Sequence, residues 1–181
     1  QTEFGSFNQM NAFKKGVDES SGDILFFLDS DDFFEKTKIE KIINLFNENQ
    51  SKMVIFDFPI IIKNKKKFIE KEKNYFFQTY WGYIHPTSCI SLRKEIVQNI
   101  FSSTVSNKFS DIWFDLRILL YTKYLDNYNV TNENLTYYRQ SDGNVSSKFT
   151  SFISADDLFS KALIIFSGLS SSKTSFKALS A

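Results

Sequence analysis

The chain has 181 residues, of which 42% are hydrophobic, so it is long enough for one domain with a sizeable core and short for two. Its 22 basic and 21 acidic residues nearly balance, which leaves no positive field to hold a nucleic-acid backbone. The single cysteine, Cys89, excludes an internal disulfide framework, and no apolar run approaches the ~20 residues of a membrane span, so we expect a cytoplasmic protein.

A helix, a strand and a second helix are predicted at the beginning of the chain. Met10, Phe13 and Val17 recur at helical spacing, and residues 24–28 are all apolar, which is typical of a strand buried on both faces. Apolar residues then repeat at helical spacing over residues 39–46. This order of elements predicts an α/β fold.

Three carboxylates, Asp29, Asp31 and Asp32, follow the predicted strand directly. Open α/β sheets bind ligands at the carboxyl ends of their strands. Crowding these side chains costs Coulomb repulsion, which a divalent cation would relieve while it also attracts phosphate oxygens. These three carboxylates therefore predict a metal and phosphate site. The alternative is a solvated turn in which Asp32 caps the following helix.

A second buried strand is predicted from residue 53, followed by an edge segment that contains Pro59, because proline cannot donate to a central ladder. The lysine-rich segment 63–67 then predicts a hairpin turn. Its lysines either are solvated and keep a sheet edge from pairing with another strand, or they contact an anionic substrate or a membrane surface.

An aromatic segment over residues 75–83 precedes a predicted strand over 89–92. Most of these rings are expected in the core, and a minority, Trp81 among them, in a pocket where a sugar can stack. His85 is the only histidine. Its neighbours Trp81 and Thr87 make a position in a substrate cleft as plausible as a structural one.

The last predicted elements are a helix over residues 110–124, strands over 124–130 and 134–138, and an amphipathic helix over 155–169. Asp111 and Asp115 lie four residues apart, on one face near the start of the first of these helices. The simplest interpretation of Asp111 alone is a helix cap.

Four segments, in the same order, resemble the family 2 glycosyltransferases of the GT-A fold. Residues 11–32 contain the sequence Asp29-Ser30-Asp31, which resembles the Asp-x-Asp motif of the family, and Ser110-Asp111 resembles its Glu-Asp motif. The other two segments are residues 86–93 and 135–146. The resemblance implies a Rossmann-like mixed sheet with flanking helices over residues 1–150. Residues 151–181 are then a C-terminal amphipathic helix and a Ser-rich tail, which either packs on a core or partner or rests on a membrane surface.

This resemblance implies metal-assisted, inverting transfer of a sugar from a nucleotide-diphosphate donor to a hydroxyl of a cell-surface polysaccharide or a lipid-linked glycan. Asp29 and Asp31 would hold Mg²⁺ or Mn²⁺ against the diphosphate, and Asp32 would support the sugar or the metal. Asp111 would be the general base. Arg139 would contact the diphosphate or serve the structure, and His85 and Trp81 are further candidates for substrate binding.

Two departures from the family pattern keep alternatives open. Ser110 stands where the family usually has Glu, and the first strands of the family, with their nucleotide contacts, have no counterpart before Gln1. We therefore expect this chain by itself to be an inactive part of such an enzyme. One alternative is a phosphatase of the haloacid dehalogenase type, against which Phe33 argues, and the other is a non-catalytic binding domain.

Overall fold

The computed structural model describes residues 5–69, 83–104 and 113–140, which form one mixed sheet with helices on both faces. The helices in these ranges are α1 (Gly5–Glu19), α2 (Lys38–Glu48), α3 (Lys94–Thr104) and α4 (Phe114–Leu125). The strands are β1 (Ile24–Phe26), β2 (Phe33–Phe34), β3 (Val54–Lys63), β4 (Lys66–Ile69), β5 (Ile90–Arg93) and β6 (Tyr128–Gln140). The α/β class predicted from the sequence is confirmed. The predicted helix and tail over residues 151–181 lie outside the described residues.

The sheet is organised around β3, in the strand order β1-β5-β3-β6-β2, with β4 paired to β3. β3 runs parallel to β6 along its whole length. On its other side it pairs antiparallel with β5 over residues 54–56 and with β4 over residues 60–63. The first six residues of β3 are buried, because helices cover both faces of the sheet there.

The prediction that Pro59 marks an edge segment is wrong. Pro59 lies within the central strand, where the register with β6 shifts between Phe58 and Pro59. It also falls in the gap between the residues that pair with β5 and those that pair with β4. A proline is tolerated at such an irregularity because no regular ladder bond needs its missing N–H.

β1 is less buried than its apolar sequence predicts. Its three residues are half-buried, and the strand pairs antiparallel with β5, so that Ile24 lies opposite Arg93. Within the described residues no strand pairs with the other edge of β1. The first well-buried side chain after the strand is Phe27, whose N–H donates to the carbonyl of Ile90.

Two apolar clusters occupy the two faces of the sheet. Helices α1, α3 and α4 form the larger cluster, in which the ring centroids of Phe13, Phe27 and Phe114 lie 4.9 to 5.1 Å apart. Helix α2 forms the smaller cluster on the opposite face. Phe56 belongs to the first cluster and its neighbour Ile55 to the second, which is the alternation expected of a strand.

The predicted hairpin is confirmed between β3 and β4. Asn64 and Lys65 both have positive φ, 50° and 62°, as a two-residue turn of type I′ requires. Lysines of this segment are exposed, and Lys67 lies over the ring of Tyr137 at 4.9 Å. Helix α3 was not predicted, and the two short strands expected after residue 124 are one strand, β6.

A completely buried ion pair joins α2 to the central strand. Lys38 Nζ lies 2.7 Å from Asp57 Oδ1, and both side chains have 0% exposure. Nζ also donates to the carbonyl oxygen of Ser88 at 2.7 Å and to Thr136 Oγ1 at 2.6 Å. The second oxygen of Asp57 accepts from the N–H of Leu135 and the hydroxyl of Thr136. All three ammonium hydrogens of Lys38 therefore have acceptors.

We predict that Lys38→Met lowers the free energy of unfolding by about 3–5 kcal/mol, because it leaves the Asp57 carboxylate buried without its cation. The double variant Lys38→Met/Asp57→Asn should recover part of this loss, since it removes the unpaired charge. Urea unfolding of the parent, both single variants and the double variant measures the coupling. Strictly additive effects would contradict the interpretation of these residues as a pair.

Candidate active site

The three predicted carboxylates form a tight turn after β1. The N–H of Asp32 donates to the carbonyl oxygen of Asp29 at 3.0 Å, which closes the turn. Asp32 is buried, Asp29 is half-buried and Asp31 is exposed. We call residues 29–32 the acidic turn. The alternative in which Asp32 caps α2 is wrong, because the N-cap position of that helix is Thr37.

Asp29 is held by hydrogen bonds with neutral side chains from two other parts of the chain. Its N–H donates to Ser88 Oγ at 3.0 Å, and Gln9 of α1 donates an amide hydrogen to its Oδ1 at 3.4 Å. Burial, followed by the charges of Asp32 and Asp31, raises the pKa of Asp29 to about 6 against the opposing hydrogen bond from Gln9. This carboxylate carries an electrostatic cost that a bound cation would relieve.

Asp32 faces the last strand of the sheet. Its Oδ1 accepts the backbone N–H of Arg139 at 2.9 Å, while its buried Oδ2 accepts no well-formed hydrogen bond within the described residues. Burial raises the pKa of Asp32, and the nearby Ser88 hydroxyl and the Arg139 amide oppose that rise. The guanidinium of Arg139 lies over the ring of Phe33 at 5.5 Å. Arg139 thus reaches the acidic turn with its backbone.

Asp115, which the sequence analysis named beside Asp111 without giving it a role, also lies in this region. Helix α4 begins at Phe114 and not at residue 110, so Asp115 lies in its first turn, where its carboxylate accepts the N–H of Leu116 at 2.7 Å. Burial, with a smaller contribution from the negative charge of Asp29, raises the pKa of Asp115 to about 6 against the opposing hydrogen bond from the Leu116 amide. Only the fold brings these two carboxylates together, so no local pattern could have shown that Asp115 lies near Asp29. Asp111 lies outside the described residues.

His85 is buried among aromatic rings. Its Nδ1–H donates to the carbonyl oxygen of Asp57 at 2.8 Å, and its ring lies 4.8 Å from that of Phe56 and 5.0 Å from that of Phe58. Burial lowers the pKa of His85 to about 4, so the ring is neutral near pH 7. These contacts favour the structural role over a position in a substrate cleft. Trp81, the other aromatic candidate, lies outside the described residues.

A closed metal cage is absent from the described ranges, where no three His, Cys, Asp or Glu side chains are grouped to hold an ion. Magnesium is usually bound by one or two carboxylates together with substrate phosphates and waters. The half-buried carboxylate of Asp29, the exposed Asp31 beside it and the unpartnered Oδ2 of Asp32 fit such an open site.

The sequence model of the family described as Glycosyl transferase family 2 matches residues 4–105, more than half of the chain. The chain belongs to this family. An uncharacterized glycosyltransferase of Nostoc sp. (strain PCC 7120) is 29% identical over 143 residues, which cover 72% of this chain and 44% of that protein. Membership of the glycosyltransferase family excludes the phosphatase alternative.

Two crystal structures of residues 1–349 of Staphylococcus aureus TarS have a similar fold. The structure in complex with UDP-GlcNAc has a TM-score of 0.54 at 13% identity and covers 85% of this chain and 44% of its own. The second has a TM-score of 0.53 at 12% identity and covers 77% and 42%. This similarity confirms the GT-A architecture. The chain spans less than half the length of these relatives. None of the described helices is both long and apolar enough to span a bilayer.

We predict that Asp29→Asn stabilises this family 2 chain at pH 7.5 in the absence of metal. The pKa of Asp29 in the folded protein lies near 6, above its ordinary value of 3.8. The folded state therefore binds the proton more tightly than the unfolded state, and this contribution to stability is complete below pH ~4 and is lost as the pH rises through ~6. Asparagine stays neutral, so the gain at pH 7.5 should be about 1–2 kcal/mol after allowance for partial exposure, and should vanish near pH 4.

Urea unfolding in EDTA at both pH values measures this difference. Asp18→Asn is the matched control, because Asp18 is an exposed carboxylate on α1 and its replacement changes the net charge equally. An equal gain at both pH values, or an equal gain in the control, would contradict the electrostatic cost assigned to Asp29.

Proposed function

We propose that the protein transfers a sugar from a nucleotide-diphosphate donor to a hydroxyl of a glycan or lipid-linked acceptor, by a single inverting displacement. The observation that carries this proposal is the acidic turn, which a family 2 fold holds at the carboxyl end of β1 with its carboxylates partly withdrawn from water. The complex of TarS with UDP-GlcNAc supports a nucleotide-sugar donor.

Asp29 and Asp31 are the residues that would hold Mg²⁺ or Mn²⁺. When bound, the cation would neutralise charge on the diphosphate leaving group. Asp32 has an orienting role: the amide of Arg139 fixes one of its oxygens, and the other, Oδ2, is buried within the turn. The rise in the pKa of Asp29 means that ligand binding there competes with a proton below about pH 6.

The acceptor hydroxyl must lose a proton as it attacks, and we assign that proton to Asp111. This assignment follows the resemblance of Ser110-Asp111 to the Glu-Asp motif of the family. Asp115 lies close enough to the acidic turn for the charge of Asp29 to raise its pKa. With a pKa of about 6, Asp115 is also chemically suited to accept a proton near neutral pH, so variants of both residues are needed.

The metal assignment predicts that Mn²⁺ with UDP raises the melting temperature of the parent and that Asp31→Asn removes most of this rise. Asp31 is exposed, so its replacement should leave the melting temperature without ligand nearly unchanged. Binding to the folded state alone is what converts affinity into stability. The measurement is thermal unfolding of the full-length protein with Mn²⁺ alone, UDP alone and both, with Asp18→Asn as the control. Equal shifts in parent and Asp31→Asn would favour a solvated turn.

For the base, we expect Asp111→Asn to retain binding of Mn²⁺ and UDP and to lose transfer by about 10²- to 10⁴-fold. Asp115→Asn should reduce transfer less than 10-fold, because it removes only a charge near Asp29. Release of nucleotide from a panel of nucleotide-sugars by the full-length protein, with acceptor supplied, measures both. The reverse order of effects would assign the base to Asp115. Absence of release with every donor would favour the non-catalytic alternative.

A further inference from the structure

Ser88 is a buried residue whose side chain is hydrogen-bonded to the acidic turn. Its hydroxyl oxygen accepts the N–H of Asp29 at 3.0 Å. The same hydroxyl lies close enough to Asp32 to lower the pKa of that carboxyl. A hydroxyl accepts through its oxygen and donates through its hydrogen, so one side chain can serve both acids at once.

The backbone of Ser88 is fixed by the buried ion pair. Its carbonyl oxygen accepts from Lys38 Nζ at 2.7 Å and lies 3.1 Å from Thr136 Oγ1. Lys38 is in turn fixed by Asp57 of β3, and Thr136 belongs to β6. The position of the Ser88 hydroxyl is therefore set by three elements that do not belong to the acidic turn.

We propose that Ser88 is the positioning residue of the acidic turn: it fixes the position of the carboxylates that bind the cation and diphosphate relative to the buried Lys38–Asp57 pair. This inference rests on the proposed function for its ligand, but its structural part can be tested without ligand. Without the hydroxyl, the Asp29 amide loses its acceptor and the acidic turn keeps its internal bond from Asp32 to Asp29. Asp32 still accepts the N–H of Arg139 on β6, but the Asp29 end of the turn is no longer hydrogen-bonded to the segment before β5.

Ser91 provides a matched control. Like Ser88 it is completely buried, it lies three positions further along the same segment, and its hydroxyl makes no hydrogen bond within the described residues. Ser91→Ala therefore makes the same chemical change without removing a contact of the acidic turn. Loss of an unsatisfied buried hydroxyl is expected to be neutral or slightly stabilising.

The first measurement is hydrogen exchange of backbone amides. In Ser88→Ala we expect exchange of the Asp29 amide to become at least about 10-fold faster, while the Phe27 amide, which donates to Ile90, changes less than about twofold. Ser91→Ala should change neither. Unaltered exchange at Asp29 in Ser88→Ala, or equal acceleration at Phe27, would overturn the proposal.

The second measurement is the affinity of the full-length protein for Mn²⁺ in the presence of UDP, followed by the electron paramagnetic resonance signal of free Mn²⁺. We expect about 10-fold weaker binding in Ser88→Ala and unchanged binding in Ser91→Ala, at a temperature where all variants are folded. Ser88→Cys retains a side chain at the site with a weaker acceptor, so it should show the same losses if Ser88→Ala proves too unstable.

The outcomes separate the two proposals. If the parent binds Mn²⁺ and UDP and Ser88→Ala binds them equally well, the positioning role is wrong and the proposed function stands. If the parent does not bind them, the proposed function is wrong, and hydrogen exchange still decides whether Ser88 holds the acidic turn.

Discussion

One buried ammonium group determines how the described elements fit together. Lys38 leaves water entirely, and the desolvation of a charge is offset only if every hydrogen finds an acceptor in good geometry. Its three acceptors come from β3, from the segment before β5 and from β6. These three parts of the chain are neighbours in the sheet order β5-β3-β6, which brings all three acceptors to one ammonium group. The ion pair therefore contributes less to net stability than to the choice of one arrangement, since any competing arrangement leaves a charge buried without a partner.

The shape of the acidic turn depends on this arrangement of strands. Its chemistry depends on the burial of Asp32 and the partial burial of Asp29. Two of its carboxylates have raised pKa values because burial disfavours their charge, and like charges lie close by. Amide and hydroxyl groups hold Asp29 and Asp32 in place without cancelling that charge. Such a turn is costly by itself, which is the pattern expected where function outweighs local stability, and in the proposed function a bound cation would offset that cost.

Much of the fold could be predicted because its signals are local. Helical spacing identified α1 and α2, the lysine-rich segment 63–67 identified the hairpin, and the acids after residue 28 identified the region of the candidate site. Other features depend on distant partners. Nothing in the sequence distinguishes Lys38 from a solvated lysine at the start of a helix, and Ser88 meets Asp29 across 59 residues of chain. Pro59 was misassigned because the rule against central prolines applies to regular ladders, whereas here a register shift removes the need for its N–H.

The parallel pairing of β3 with β6 has a consequence for the order of folding. Val54 pairs with Tyr128 and Lys63 with Gln140, so the central ladder joins segments that are far apart in sequence. Closing such a long loop costs conformational entropy before the pairing of β3 with β6 contributes any stabilisation, and this slows folding. Until β6 docks, Asp57 lacks the Thr136 hydroxyl and Lys38 lacks one of its acceptors. The local hairpin can form early, whereas the acidic turn reaches its final geometry only after β6 has docked, because Asp32 accepts the N–H of Arg139 from that strand.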